Sequence, residues 1–352
     1  MEANSPAKKS RFKLYLTIIT IVALLLLIIG LRKDISGVVK NLGQVNAFAL
    51  LLLIPLEILN YDSYARLYRR LLATLGDKVR YWPMFRLTLE LNFVNHILPS
   101  GGVSGISYFT VRMRGQGVSG AKSTLAQVLK LFLLYASFQP LLILGLLLLA
   151  IRGHASNLVI LVATALITLL VVGTLLGIYI IESRQRINAT LTFITKLLNK
   201  IVHFFRRSQP EIIGVKNAQQ TFNELHENYQ IFKDRWRELK MPFVYMMVAN
   251  ATEVAAVYAV YVAFGQLVNV GAVILAYAVA NFAGLISVLP AGIGIYEGLM
   301  TAVLAATGIP ADVSLPVTIM YRMLNMSLQL IPGYVLYQNA LRHGLSKKPS
   351  SG

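Results

Sequence analysis

Cysteine is absent from all 352 residues, and charge is scarce: Asp, Glu, Lys and Arg make up 14% of the chain, against about 25% in an ordinary soluble domain. Without cysteine there can be no disulfide, no thiolate metal site and no thiol nucleophile. Histidine is almost as sparse. His96, His154, His203, His226 and His343 are scattered, and no two have ligand spacing on one helix face, which argues against a zinc site. No HExxH, GxSxG or P-loop pattern occurs, which argues against membrane-embedded hydrolysis and against ATP binding of the usual kind. Acidic residues are the scarcer sign, 15 against 33 Lys and Arg, for a formal charge of +18. The basic residues lie in separate loops, a distribution that suits membrane topology and anionic lipid better than nucleic acid.

Long apolar runs are what the chain has in place of charge. Residues 14–31 (LYLTIITIVALLLLIIGL) carry no charge over 18 positions, enough for a spanning helix. The run lacks a small-residue cleavage pattern and continues into RKDIS, so it reads as a retained helix rather than a signal peptide. Further spans are expected at about 47–65, 123–151, 158–181, 242–264 and 315–341. Lys8, Lys9, Arg11 and Lys13 before the first span, and Arg342, Lys347 and Lys348 after the last, put both termini in the cytoplasm. The fold class is therefore an all-α integral membrane protein, multi-pass in the cell membrane, with about six full spans. Residues 182–241 are the one long polar stretch and hold eleven Lys and Arg. Their pattern suggests two amphipathic helices lying on the cytoplasmic surface against anionic lipid.

Two stretches do not fit a simple span. Residues 92–105 read NFVNHILPSGGVSG and residues 289–298 read LPAGIGIYEG. Each follows an apolar arm containing Asn-Phe, at Asn92-Phe93 and Asn281-Phe282. Basic residues flank the first on both sides (Arg66, Arg69, Arg70, Lys78 and Arg80 before it; Arg112, Arg114 and Lys122 after it), whereas the second has none on either flank. The first is thus expected to be a re-entrant hairpin from the cytoplasmic face, and the second a hairpin from the opposite face. Span, hairpin, span over about 47–151 and again over about 242–341 form one plan repeated upside down, the sequence signature of a transporter. Glycine at the tips (Gly101, Gly102, Gly292, Gly294) lets backbone approach closely. Pro99 and Pro290 favour a break, and helix ends beside the tips offer N–H or C=O groups to a polar ligand.

Ionisable residues inside spans are expensive and are functional candidates by default. Here they are Glu57, Glu90, Lys130, Glu253, Glu297 and Arg322. Depth suggests pairing Glu297 with Arg322 and Glu90 with Lys130. Asn325 and Gln329 share one helix face with Arg322, and Asn92, Asn95 and His96 line the approach to the first tip.

NFVNHILPSGG followed by an Arg-containing segment, LPAGIGIYEG, and the closing YRMLNMSLQLIPG together resemble the lysylphosphatidylglycerol synthase transmembrane region. This is the flippase-like membrane half of bacterial multiple peptide resistance factors. The resemblance runs from about the first helix to Tyr337. It is sharpest at Pro290, Gly292, Gly294 and Glu297. The first tip departs from the pattern, with Val103, Ser104 and Gly105 where an acidic residue commonly follows the glycines.

The resemblance implies translocation of a polar or aminoacylated phospholipid, or a lipid-linked glycan, between leaflets. Alternatives are a membrane subunit of a lipid-modifying system and a scaffold without transport. Full-length members carry a soluble aminoacyl transferase domain, whereas this chain ends eleven residues past Leu341, so a stand-alone form that is not itself an enzyme is expected. No cofactor and no metal are implied. The partners expected are anionic lipids, a second copy of the chain, or a separate transferase. The residues assigned to substrate are Asn92, Asn95, His96, Pro99, Gly101, Gly102, Pro290, Gly292, Gly294, Glu297, Arg322 and Asn325, with Glu90, Lys130 and Glu253 as charge-pair candidates.

Overall fold

The structure is a computed structural model. It describes residues 45–97, 103–151, 157–186, 188–190, 192, 227–286, 292 and 294–343. The expected first span at 14–31 lies outside them, as do Pro99, Gly101, Gly102, Pro290 and the tail beyond His343. Among the described residues the fold is helical, with no strand. The helices are α1 (Ala47–Leu50), α2 (Leu53–Thr74), α3 (Tyr81–Ile97), α4 (Val103–Arg114), α5 (Gly120–Ile151), α6 (Asn157–Ile181), α7 (Lys240–Ala263), α8 (Val270–Ile286), α9 (Ile295–Ala306) and α10 (Ala311–His343). A short 3-10 helix, Trp236–Leu239, leads into α7.

Four segments are long and apolar enough to cross a membrane: Ala47–Thr74, Gly120–Ile151, Asn157–Ile180 and Trp236–Ala263. They coincide with four of the six expected spans. The helix expected last, α10, has 33 residues, ample length, but its Arg322, Asn325 and Gln329 make it more polar than those four. Two boundaries differ from expectation. The second span does not stop near residue 65 but runs on to Thr74. Its last turns absorb Arg66, which pairs with Asp62 one turn back at 2.7 Å. After the first tip, Arg112 and Arg114, expected as a basic flank, are not outside the helix that follows. That helix, α4, has twelve residues and contains both.

The centre of the bundle is an antiparallel pair, α2 against α7, and its register can be followed from contact to contact. The Asn46 N–H donates to the Ala263 carbonyl at 2.9 Å, Asn60 Nδ2 donates to the Ala249 carbonyl at 3.0 Å, and Arg70 meets Glu238 at 2.7 Å. Two further antiparallel pairs flank it. In one, α3 packs on α10, with Phe93 against Tyr334 and Tyr337 at ring separations of 5.6 and 5.3 Å. In the other, α8 packs on α5, with Phe282 against Tyr135 and Phe138 at 5.6 and 5.0 Å. The Asn-Phe dipeptides recognised in the sequence thus supply equivalent aromatic anchors, each seated on two rings three residues apart. From Ala272 to Ala278, α8 is buried on every face, as an all-round apolar helix must be. By contrast α6 leaves Leu158, Leu161, Leu169, Val172 and Leu175 exposed, a face suited to hydrocarbon.

Backbones come closest where glycine allows it. A Cβ on Gly271 of α8 would lie 2.3 Å from the Gly145 carbonyl oxygen on α5, and one on Gly333 of α10 would lie 2.8 Å from the Leu89 carbonyl oxygen on α3. Small residues at such crossings are the usual basis of helix association in lipid. Gly271→Ala and Gly333→Ala are therefore expected to force the helices apart and cost about 1–3 kcal/mol each. Gly173→Ala, where nothing lies within 4 Å, is expected to cost nothing. Apparent melting temperatures of the three detergent-solubilised variants check this, and equal values for all three would disprove it.

One end of the bundle is tied by ion pairs between loops. Besides Arg70–Glu238, Lys122 at the start of α5 meets Asp77 after α2 at 2.9 Å. Lys233 before α7 meets Glu182 after α6 at 2.6 Å. The C-terminal ends of α2 and α6 and the N-terminal ends of α5 and α7 therefore gather on one basic face.

Candidate functional site

Polar side chains that apolar helices would be expected to exclude collect where α2, α3, α7, α9 and α10 meet. On α2 the residues are Glu57, Asn60 and Tyr61, all buried. Their spacing places them on one stripe facing α7 and α10. Asn60 Nδ2 bridges to α7 at Thr252 Oγ1, 3.0 Å, and at Glu253 Oε1, 3.3 Å. Glu57 Oε1 accepts from Gln329 Nε2 of α10 at 3.2 Å. Gln329 passes the chain on: its Oε1 accepts from Asn92 Nδ2 of α3 at 2.8 Å. Asn92 also donates to the Tyr61 hydroxyl at 2.6 Å. Glu253 Oε2 accepts from the Tyr321 hydroxyl at 2.7 Å and from Asn325 Nδ2 at 3.3 Å, both on α10. Buried polar groups of this kind are strongly destabilising unless satisfied, so these two sets of hydrogen bonds, side by side in one polar network, fix the helices in register.

The second tip supplies the adjoining part. Gly294 caps α9 with φ of 84°, and Gly292 just before it has φ of 64°, a region that residues with a Cβ seldom enter. Glu297, in the first turn of α9, reaches back so that its Oε2 accepts from the Gly294 N–H at 2.7 Å. Its other oxygen pairs with Arg322 of α10, whose guanidinium also lies 4.6 Å from the centre of the Tyr296 ring. Glu297 thus serves the helix end and the guanidinium at once. The pairing expected from depth is the pairing present.

The other expected pairing is not. Glu90 does not meet Lys130. Its carboxylate accepts from Arg112 Nε at 2.9 Å, Arg112 Nη2 at 3.2 Å and the Tyr108 hydroxyl at 2.7 Å, all from α4. Arg112 lies on the helix directly after the tip and faces back onto α3, while Lys130 on α5 points to α2. There its ammonium sits 5.3 Å from the centre of the Tyr64 ring, a cation–π contact. Glu253, also a charge-pair candidate, has hydroxyl and amide donors and no cation among the described residues. Of the remaining expected residues, His96 bonds through Nδ1 to the Asn92 carbonyl oxygen at 2.9 Å. Asn95 stands apart from the network, exposed, with its side chain against the bare Cα of Gly105 on α4.

A model of the family described as the lysylphosphatidylglycerol synthase TM region matches residues 15–333. The chain belongs to that family. The matched stretch takes in α1 through α9 and α10 as far as Gly333, and so includes every residue of the network. A UPF0104 membrane protein of Methanocaldococcus jannaschii is 23% identical over 93% of this chain and 94% of its own length. Another, from Pyrococcus horikoshii, is 22% identical over 53% of this chain and 55% of its own. Both are described as membrane proteins, in keeping with the apolar helices of this member of the family.

Several members of the network were not among the expected site residues: Asn60, Tyr61, Thr252, Tyr296 and Tyr321. A signal for some of them was present. Glu57, Asn60, Tyr61 and Tyr64 recur at three- and four-residue spacing within an otherwise apolar helix, a polar stripe that requires a polar partner.

Proposed function

We propose that this member of the lysylphosphatidylglycerol synthase TM region family moves a polar-headed lipid between the two leaflets, with the head group passing along the network between α2, α7 and α10. What carries the reading is the matched pair of broken elements. In each half a 17-residue helix is followed by a 12-residue one, α3 then α4 and α8 then α9. At about 1.5 Å per residue a twelve-residue helix rises about 18 Å, well short of a hydrocarbon core of about 30 Å. The contact between Asp77 and Lys122 returns the chain after α3 and α4 to the end it left, as a re-entrant hairpin requires. The antiparallel α2–α7 pair and the equivalent α3–α10 and α8–α5 pairs fit two inverted repeats, an architecture of transporters that bind at the repeat interface.

The chemistry of the network suits a head group rather than an acyl chain. It offers amides, hydroxyls, carboxylates and one guanidinium, contributed by both halves. Irregular backbone beside it is tolerated in a membrane where it lines a polar passage. Reconstitution into liposomes with a fluorescent phospholipid in both leaflets tests the reading. Protein-containing vesicles are expected to expose inner-leaflet label to a membrane-impermeant quencher faster than empty vesicles. Gln329→Ala, which loses the bonds to Glu57 and Asn92, and Asn325→Ala, which loses those to Glu253 and Tyr321, leave the Glu297–Arg322 pair in place and are each expected to slow this about tenfold. Rates equal to those of empty vesicles for a panel of anionic, zwitterionic and glycosylated lipids would exclude the proposal.

A further inference from the structure

Among the described residues, four glutamates lie within the helical bundle, and they are treated in two ways. Glu297 and Glu90 each have a guanidinium, from Arg322 and Arg112. Glu57 and Glu253 have none among the described residues. Their donors are the neutral groups of Gln329, Asn60, Tyr321 and Asn325. Glu57 is 5% exposed, and its Oε2 has no hydrogen-bond partner among the described residues. Asn60, which donates to Glu253, lies three residues after Glu57 on α2, so the two carboxylates flank the same α2–α7 contact and their charges repel. The nearest cations are otherwise engaged: Arg322 holds Glu297, and Lys130 lies on the Tyr64 ring. The remaining titratable groups around the pair are phenols, Tyr61 and Tyr64 on α2, Tyr277 on α8, Tyr296 on α9 and Tyr321 on α10. His96 of α3 lies one step further off, beside Asn92.

An isolated carboxylate in such a setting is far more costly than a neutral acid, and two that repel each other are worse. Coupled carboxylates relieve the repulsion by holding one proton between them. We propose that Glu57 and Glu253 share one exchangeable proton, and that its release accompanies the lipid movement proposed above, the second clause resting on that reading. The hydrogen bonds say where the proton sits. Glu57 Oε1 must stay an acceptor for Gln329, and both oxygens of Glu253 accept from amide or hydroxyl groups, so the unpartnered Glu57 Oε2 carries the proton. On release, a carboxylic acid becomes a carboxylate and one proton leaves. The new charge pulls on Gln329, which holds Asn92 of α3, and repels the carboxylate of Glu253, whose donors Tyr321 and Asn325 lie on α10. The proton thus bears on the first hairpin and on the helix that anchors the second.

Two measurements separate this inference from the transport reading. In the first, infrared spectra of the purified protein are recorded between about pH 5 and about pH 9. A carboxylic-acid carbonyl band is expected that Glu57→Gln abolishes or shifts and that Gln127→Leu, outside the network, leaves alone. Absence of any such band at every pH overturns the shared proton. In the second, exchange of labelled lipid is followed in sodium-free proteoliposomes with and without an imposed pH difference. One pH unit is expected to bias the lipid distribution up to about tenfold per proton, with no bias in Glu57→Gln or Glu253→Gln. Lipid exchange that ignores the pH difference overturns the coupling while leaving translocation intact. A titrating band without any lipid exchange leaves the proton pair standing and overturns its link to lipid. A response to sodium in place of pH overturns the proton assignment.

Discussion

Arg322→Ala is expected to lower the apparent melting temperature of the solubilised protein more than any other single change at the second tip. The substitution leaves Glu297, 7% exposed, without the guanidinium that pairs with it. Removing one partner of a buried ion pair typically costs about 3–5 kcal/mol, because the charge left behind is uncompensated. For a protein of this size that is on the order of 10 °C. Glu297→Gln should cost less. The glutamine oxygen can still accept from the Gly294 N–H, and Arg322 keeps the face of the Tyr296 ring. The double variant Arg322→Ala with Glu297→Gln should recover part of what Arg322→Ala loses, since it no longer strands a charge. Melting curves for the three variants and the wild type form a double-mutant cycle that isolates the pair. Strict additivity would mean that the two side chains do not depend on each other, and the site would lose its centre.

The order of these effects follows from geometry that the sequence showed only in part. Depth was legible. Four of the long apolar runs are helices long and apolar enough to span, the Pro-Gly interruptions fall between α3 and α4 and between α8 and α9, and Glu297 and Arg322 meet across adjoining segments. Direction around a helix axis was not legible, and this is where the reading of Glu90 failed. Lys130 and Arg112 are both candidates by position along the membrane normal. The choice between them depends on which way α4 and α5 turn their faces, and that is decided by packing. Arg112 was taken for a topological flank because a basic residue after a hydrophobic run usually marks the membrane edge. Here it continues a helix and turns inward. The central α2–α7 contact was hidden for a related reason. Two helices 189 residues apart, paired through Asn60 and Ala249, leave no local trace beyond a polar stripe on each. By contrast, the equivalence of Phe93 and Phe282 could be read directly. Each lies in the same Asn-Phe step before a break, and each fills the same place between rings of a facing helix.

The first hairpin has its own fastening, and Glu90→Ala should release it. Among the described residues, the hydrogen bonds into that carboxylate come from α4, from Nε and Nη2 of the Arg112 guanidinium and from the Tyr108 hydroxyl. A carboxylate held on both oxygens by a guanidinium combines charge with fixed geometry, so the side chain sets the angle between the two arms as well as holding them together. Tyr108 adds a second constraint, since its ring also packs on Tyr337 of α10 at 5.6 Å. Loss of Glu90 takes from Arg112, itself 9% exposed, the carboxylate that pairs with it, and should cost about 3–5 kcal/mol. Tyr108→Phe removes one charged hydrogen bond and keeps the ring contact, for about 1.5–3 kcal/mol. Glu90→Gln should fall between them, because an amide can accept from one arginine nitrogen but not from both together with Tyr108. If the hairpin acts in transport, Tyr108→Phe, which spares the fold most, should still slow lipid exchange, because an α4 that is free to tilt on α3 no longer holds Asn92 against Gln329. A Tyr108→Phe protein with an unchanged melting temperature and unchanged exchange would show that the angle between the arms is set elsewhere. One that melts lower but exchanges lipid at the wild-type rate would confine Glu90, Tyr108 and Arg112 to holding the fold.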